Sequence, residues 1–359
     1  MTPLDGPAPW LDTSVVSLLD DPASPVVRVA PLGFPYETRD PFLFCVHHLD
    51  VYPPGNDELG PNVSLRGRAL GQDFTLKDGF RMYHGKRVPG FPQHPHRGFE
   101  TVTIVRAGIV DHSDSLGAAG RYAAGDVQWL TAGSGIQHAE MFPLLDKSGS
   151  NTTELFQIWL NLRARNKLVK PHFKMFWRDL VPELRVVDES GRSTWVKLVA
   201  GTYALTTPPA PPPDSWAAEP DSDVAIWTLR LEPGATFSLP PAQPKSKRTL
   251  YFFAGSSLNV GGRAIPPSHL VEVRPSVRLQ LSAGDDVAQV LMLQGKPIGE
   301  PVVQHGPFVM TSREDIIQTF HDYEATQFGG WPWPRHDPVH GSDQGRFARK
   351  ADGQRETPP

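Results

Sequence analysis

Two short stretches hold the residues best able to do chemistry. GFPQHPHRGFETVTIV carries His94 and His96, and TAGSGIQHAEMF carries His138 and Glu140. On a β-strand, side chains two apart share a face, so each pair can converge on a single ion. The step of 42 residues from His96 to His138 lets several strands travel out and bring the second pair beside the first. Three neutral imidazoles and one carboxylate form a hard-to-borderline donor set for one mononuclear divalent metal ion: Fe(II), Mn(II), Ni(II), Cu(II) or Zn(II). In octahedral geometry two positions stay open, and related His/carboxylate sites with open positions hold non-heme iron and activate dioxygen. A lone HxH arises by chance. An HxH and an HxE, each flanked by glycine turns and apolar strands, form a far more specific signal. Ala139 is small enough to face away from the pair, and Gly133 and Gly135 permit the tight turn or bulge that aims His138. Strand parity also puts Glu100 on the face of His94 and His96. It stands as an alternative fourth ligand or as a hydrogen-bond partner of a ligand histidine, unless a bulge at Gly98 breaks the parity. Glu140 is the favoured carboxylate.

The elements that must position these residues read as strands. The 38 prolines and 32 glycines imply many turns and few long helices, which points to an all-β architecture. ETVTIV (100–105), VQWLT (127–131), LFQIWLNL (155–162) and WVKLVAG (195–201) form a first series. The run at 155–162 is nearly continuous in apolar residues, as for a strand buried on both faces. TTPPAPPPD (206–214) then reads as a linker or a long loop between barrels. A second series follows at a spacing of about 8–12 residues, so the chain reads as a duplicated sandwich or barrel. SREDIIQTFHDYEATQFGG reads as one helix capped by Ser312 with Asp315, with a stripe of Ile316, Ile317, Phe320 and Tyr323. The expected division is an N-terminal arm (1–26), a metal-binding barrel (27–200), a second barrel (201–330) and a disordered tail (331–359). The second half's His269, His305 and His321 form no HxH, so its barrel is expected to bind no metal. His47 and His48, being adjacent, read as structural, His112 as a solvated turn residue, and Trp129 as core.

Composition narrows the function classes. Lys+Arg 35 against Asp+Glu 39 argues against direct nucleic-acid binding, and KSKR (245–248) reads as a solvated loop. No apolar run is long enough to span a membrane, and the N-terminus does not read as a secretory signal. The single cysteine, Cys45, excludes an internal disulfide and any thiolate-cluster metal site. The expectation is an intracellular, cytoplasmic protein, or a nuclear one in a eukaryotic cell.

HPHRGFET (94–101), GDVQWLTAGSGIQHAEM (125–141), EPVVQHGPFVMTS (300–312) and DPFLFCVHHL (40–49) together resemble the pirin family of bicupins, in the correct order across about residues 30–330. The resemblance implies two cupin-type β-barrels with a short C-terminal helix. It implies one metal, usually iron, in the N-terminal barrel, on the residues matching His94, His96, His138 and Glu140; Glu100 is not a ligand in the family. Two roles follow from it. One is a quercetin 2,3-dioxygenase-like oxygenase acting on a small flavonol-type aromatic substrate and dioxygen. The other is a non-enzymatic, iron-dependent redox-sensing transcriptional co-regulator that works through a protein partner. The N-terminal arm, the Pro-rich insert and the tail depart from the family pattern and leave any partner surface open.

Overall fold

Short β-branched and aromatic runs, cut by glycine and proline turns, pair into antiparallel sheets. The computed structural model describes residues 24–359, so the expected N-terminal arm lies almost wholly outside the described residues. One barrel packs a five-stranded sheet, in the order His172–Phe176, Val127–Thr131, Phe99–Ala107, Asn151–Asn161 and Phe42–Tyr52, against a six-stranded one. The latter runs Arg355–Glu356, Phe347–Arg349, Ala119–Ala123, Ile109–Asp114, Ile136–Met141 and Gly90–His96. The other barrel has a seven-stranded sheet: Val26–Pro31, His269–Val273, Lys247–Ala254, Ala288–Gly295, Ala225–Leu231, Ser193–Ala200 and Glu183–Val187. Its second sheet has four short strands spanning Thr236–Leu239, Leu279–Ala283, Leu258–Val260 and Arg263–Ile265.

Each barrel has its own core, and a third core joins them. Strand Asn151–Asn161 shows how this arises from alternation. Phe156, Ile158 and Leu160 face Ile226, Leu291 and Leu293 of the other barrel's sheet, while Leu155 faces its own barrel. Trp129 is buried in this joining core, as expected.

The expected domain limits do not follow the sheets. Val26–Pro31 pairs with His269–Val273, and Ser193–Ala200 pairs with Ala225–Leu231, so both ends of the 27–200 segment belong to the second barrel's sheet. The tail expected to be disordered is a correction too: Phe347–Arg349 pairs with Ala119–Ala123, and Arg355–Glu356 forms the sheet's edge beyond it. Phe347 and Ala348 are buried, but much of the tail's anchoring is polar, and hydrophobic periodicity does not record it. The buried Arg121 guanidinium pairs with Asp111 and donates to the carbonyls of His340, Gly341 and Gln344. The Pro-rich insert is held to the first barrel by Lys174 Nζ, which donates to the carbonyls of Ala210 and Pro211.

The helix spans Arg313–Thr326, and Ser312 Oγ accepts from the Asp315 amide at 3.0 Å. Ile316 is buried, whereas Ile317 is 56% exposed, because neighbouring residues on a helix lie about 100° apart. The hairpin Val303–His305/Phe308–Met310 and this helix return to the first barrel, where Arg97 bridges to Phe308 and donates to Asp322 at 2.7 Å. No helix among the described residues is long and apolar enough to cross a membrane.

Candidate metal centre

Strands Gly90–His96 and Ile136–Met141 pair with His94 directly opposite His138, and a bulge between Phe91 and His94 sets that register. The rings of His94 and His138 lie 4.5 Å apart, those of His94 and His96 4.7 Å, and those of His96 and His138 4.9 Å. One nitrogen from each of the three lies within 4.8 Å of the others. Thus the two HxH/HxE stretches do meet, through strand pairing rather than chain proximity. The preceding turn requires glycine at Gly135, where φ is +124° and a Cβ would lie 2.6 Å from the Phe328 ring.

The donor chemistry suits a cation. Both ring nitrogens of His138 and Nδ1 of His96 are buried with no hydrogen-bond partner among the described residues. His94 Nδ1 donates to the Pro92 carbonyl at 2.9 Å, which leaves its Nε2 lone pair free to bind. Burial pushes all three imidazoles below their ordinary range, and neighbouring imidazoles add to the effect at His96 and His138. They are therefore neutral, as metal ligands must be.

Glu140 lies beside His138, with Oε2 3.9 Å from His138 Nε2, but it is not part of the group of three whose donor atoms all lie within 4.8 Å of one another. Tyr122 and Thr103 hydroxyls each donate to its Oε1 at 3.1 Å, and Gln157 donates to Oε2. Three donors hold the carboxylate in place inside the barrel. Sequence reading missed them because they come from three other strands.

Glu100 is elsewhere. Gly98, at φ +85°, breaks the strand after His96, so the parity that aligned Glu100 with the histidines does not carry across it. The Glu100 carboxylate accepts from Thr131 at 2.8 Å and from Ser215, just past the Pro-rich insert, so its role as a partner of a ligand histidine is withdrawn. Burial pushes its pKa up to about 7 against the pull of those two donors. His112 is a further correction. It lies not in a solvated turn but fully buried on Ile109–Asp114, bonded to Asp114 at 3.1 Å, with its ring 5.6 Å from that of His138. Gly108 as the turn of a hairpin was the available signal. His47 bonds Glu154 and His48 bonds Tyr83, both structural, as expected.

His94 lines a cavity of about 700 Å³ whose walls include Lys86, Arg87, Gln93, Arg335 and Asp337. The volume falls in the range of small-molecule sites.

The family model described as Pirin matches residues 56–160, and the one described as Pirin C-terminal cupin domain matches 226–329. The chain belongs to the pirin family. Human pirin is 31% identical over 271 residues, covering 71% of this chain and 82% of its own length. A Pseudomonas aeruginosa protein named as a candidate quercetin 2,3-dioxygenase is 38% identical over 240 residues, covering 67% of this chain and 79% of its own. A crystal structure of a quercetin 2,3-dioxygenase from Acinetobacter baumannii superposes with a TM-score of 0.66 at 23% identity, over 86% of this chain and 99% of that one, which is a likeness of fold. The two barrels of this pirin family member are thus the expected pair of cupins, with the three histidines in the N-terminal one.

Proposed function

We propose that this pirin family member binds one Fe(II) through His94, His96, His138 and Glu140, and acts as a quercetin 2,3-dioxygenase-like oxygenase on flavonol-type aromatic substrates. The observation that carries the reading is the convergence of three neutral imidazoles, two of them buried and the third, His94, half-buried and lining a cavity large enough for an aromatic molecule. The names of relatives, including the Pseudomonas aeruginosa protein, support the same reading. A bound divalent iron would supply a Lewis acid for adjacent substrate oxygens and open positions for dioxygen. The chain's own groups do the rest. The bond from His94 to the Pro92 carbonyl fixes that ring's tautomer and its aim. The Glu140 carboxylate is anchored at Oε1 by Tyr122 and Thr103 and at Oε2 by Gln157, and the remaining lone pair of Oε2 would take the substrate's hydroxyl proton. Phe91 and the barrel walls keep water from the reacting atoms.

The regulatory alternative asks for an exposed partner surface near the first barrel, whereas the cavity is what an enzyme asks for. The deciding experiment is anaerobic Fe(II) loading, followed by oxygen uptake with a panel of flavonols. Uptake with at least one member is expected. No uptake with any member despite stoichiometric iron would overturn the oxygenase reading and favour the regulator.

A further inference from the structure

The cavity's mouth has two walls of different origin. One is the turn carrying Lys86 and Arg87; the other is Pro334–Asp337 from the tail, which begins beyond residue 329, where the C-terminal family match ends. The tail is fastened there by bonds to the metal-site strands. The Gln93 amide, next to His94, donates to the His336 carbonyl at 2.7 Å, and the His336 ring bonds the Gln93 side chain. Trp333 Nε1 donates to the Asp114 carbonyl at 2.8 Å.

The mouth is short of negative charge. Lys86, Arg87 and Arg335 line it against Asp337 as its one carboxylate. Asp337 Oδ1 is engaged by Arg335 through Nη2 at 2.8 Å and Nε at 2.9 Å, and lies 3.8 Å from Arg87 Nη2. Lys86 is exposed and makes no ion pair among the described residues. At the floor, a divalent ion held by three neutral imidazoles and one carboxylate adds a further unit of positive charge. A flavonol with no charged substituent places no anion at this mouth, whereas a substrate that bears one would be drawn in and held there.

Resting on the oxygenase reading above, we propose that the tail adapts this cavity to aromatic substrates bearing an ionised carboxylate. The substrate's adjacent oxygens face His94, and its carboxylate lies at the mouth between Lys86 and Arg335. At a separation of about 6 Å and an effective dielectric of about 80, each such charge contact is worth about threefold in affinity, and the two together about tenfold.

The test uses the full-length protein loaded with Co(II), whose visible absorption reports ligands entering the metal's coordination sphere. It is titrated without oxygen, at low ionic strength, with 3,4-dihydroxybenzoate and with its methyl ester. The acid is expected to bind about tenfold tighter than the ester, and that ratio is expected to fall to about twofold in a Lys86→Gln/Arg335→Gln variant. Lys86→Gln alone, which breaks no ion pair among the described residues, is expected to lower the ratio about threefold and covers the case in which the double variant fails to fold. Equal affinities, or a ratio unchanged in the variants, would overturn the carboxylate proposal while leaving the oxygenase reading standing. No absorption change with either catechol would overturn the carboxylate proposal, and the oxygenase reading would still be decided by oxygen uptake with the flavonol panel.

Discussion

Lys167 offers the sharpest test of how the metal barrel is held. Its ammonium is buried and donates to the Gly98 carbonyl at 2.9 Å, Asn161 Oδ1 at 2.7 Å and the Val309 carbonyl at 3.2 Å. One cation thus ties together the turn after His96, the end of a central strand and the returning C-terminal hairpin. Replacing it with Met keeps the apolar stem and removes all three donors. Hydrogen bonds to a charged group contribute about 1.5–3 kcal/mol each, so the loss is about 5–9 kcal/mol. Against this, burial lowers the Lys167 pKa from its ordinary 10.5 to about 8, which makes keeping the charge inside cost about 3 kcal/mol. The bonds win, and Lys167→Met is expected to destabilise by about 2–6 kcal/mol at pH 7, measured by urea unfolding followed by tryptophan fluorescence. The pH dependence has a definite sign. Between pH 8 and 10.5 the unfolded chain keeps a proton that the folded chain has released, so the unfolded state binds more protons and wild-type stability rises with pH. The gap between wild type and variant should therefore widen across that window, by up to about 3 kcal/mol. A gap that is absent at pH 7, or that narrows from pH 8 to 10.5, would refute the reasoning.

Other expectations concern the metal, the turn and the joining core. His94→Ala, His138→Ala and Glu140→Ala should each lower bound metal at least tenfold by elemental analysis; wild-type occupancy in all three would show that other residues bind it. Gly135→Ala forces a Cβ to within 2.6 Å of the Phe328 ring at a φ of +124°, and should cost about 2 kcal/mol or more, read as a lower thermal midpoint. Glu100, with its pKa raised to about 7 from an ordinary 4.5, loses stability as pH climbs through that interval, because there the folded state holds the extra proton. Glu100→Gln should abolish that loss, gaining up to about 3 kcal/mol on wild type between pH 4.5 and 7; parallel pH profiles would contradict it.

What sequence could reveal followed from period and parity. His94/His96 and His138/Glu140 were legible because each pair sits on one unbroken strand, where the period of two holds. Glu100 was misread because Gly98, at positive φ, ends that period between it and His96. His112 was misread because DHSDS looks like turn chemistry, although its Asp114 accepts backbone amides from Leu116 and Ala118 one step later, at the true turn. The tail was illegible for a different reason. Its order comes from Arg121 and Asp111, more than 200 residues away, and no local pattern records such a partner.

The second half of the chain serves the first. Its barrel lacks the paired histidines, yet its sheet supplies Ile226, Leu291 and Leu293 to the core on which the strand carrying Gln157 rests. Its hairpin and helix then travel back to the metal side: Val309 accepts from Lys167, Asp322 accepts from Arg97, and Phe328 packs over Gly135. These three contacts bracket both ligand strands at their turns, just after His96 and just before His138. A metal barrel cut from the chain at residue 200 would keep its four candidate ligands but lose every one of these supports. The geometry of the first cupin therefore depends on both barrels, and the second cupin is the scaffold that holds it.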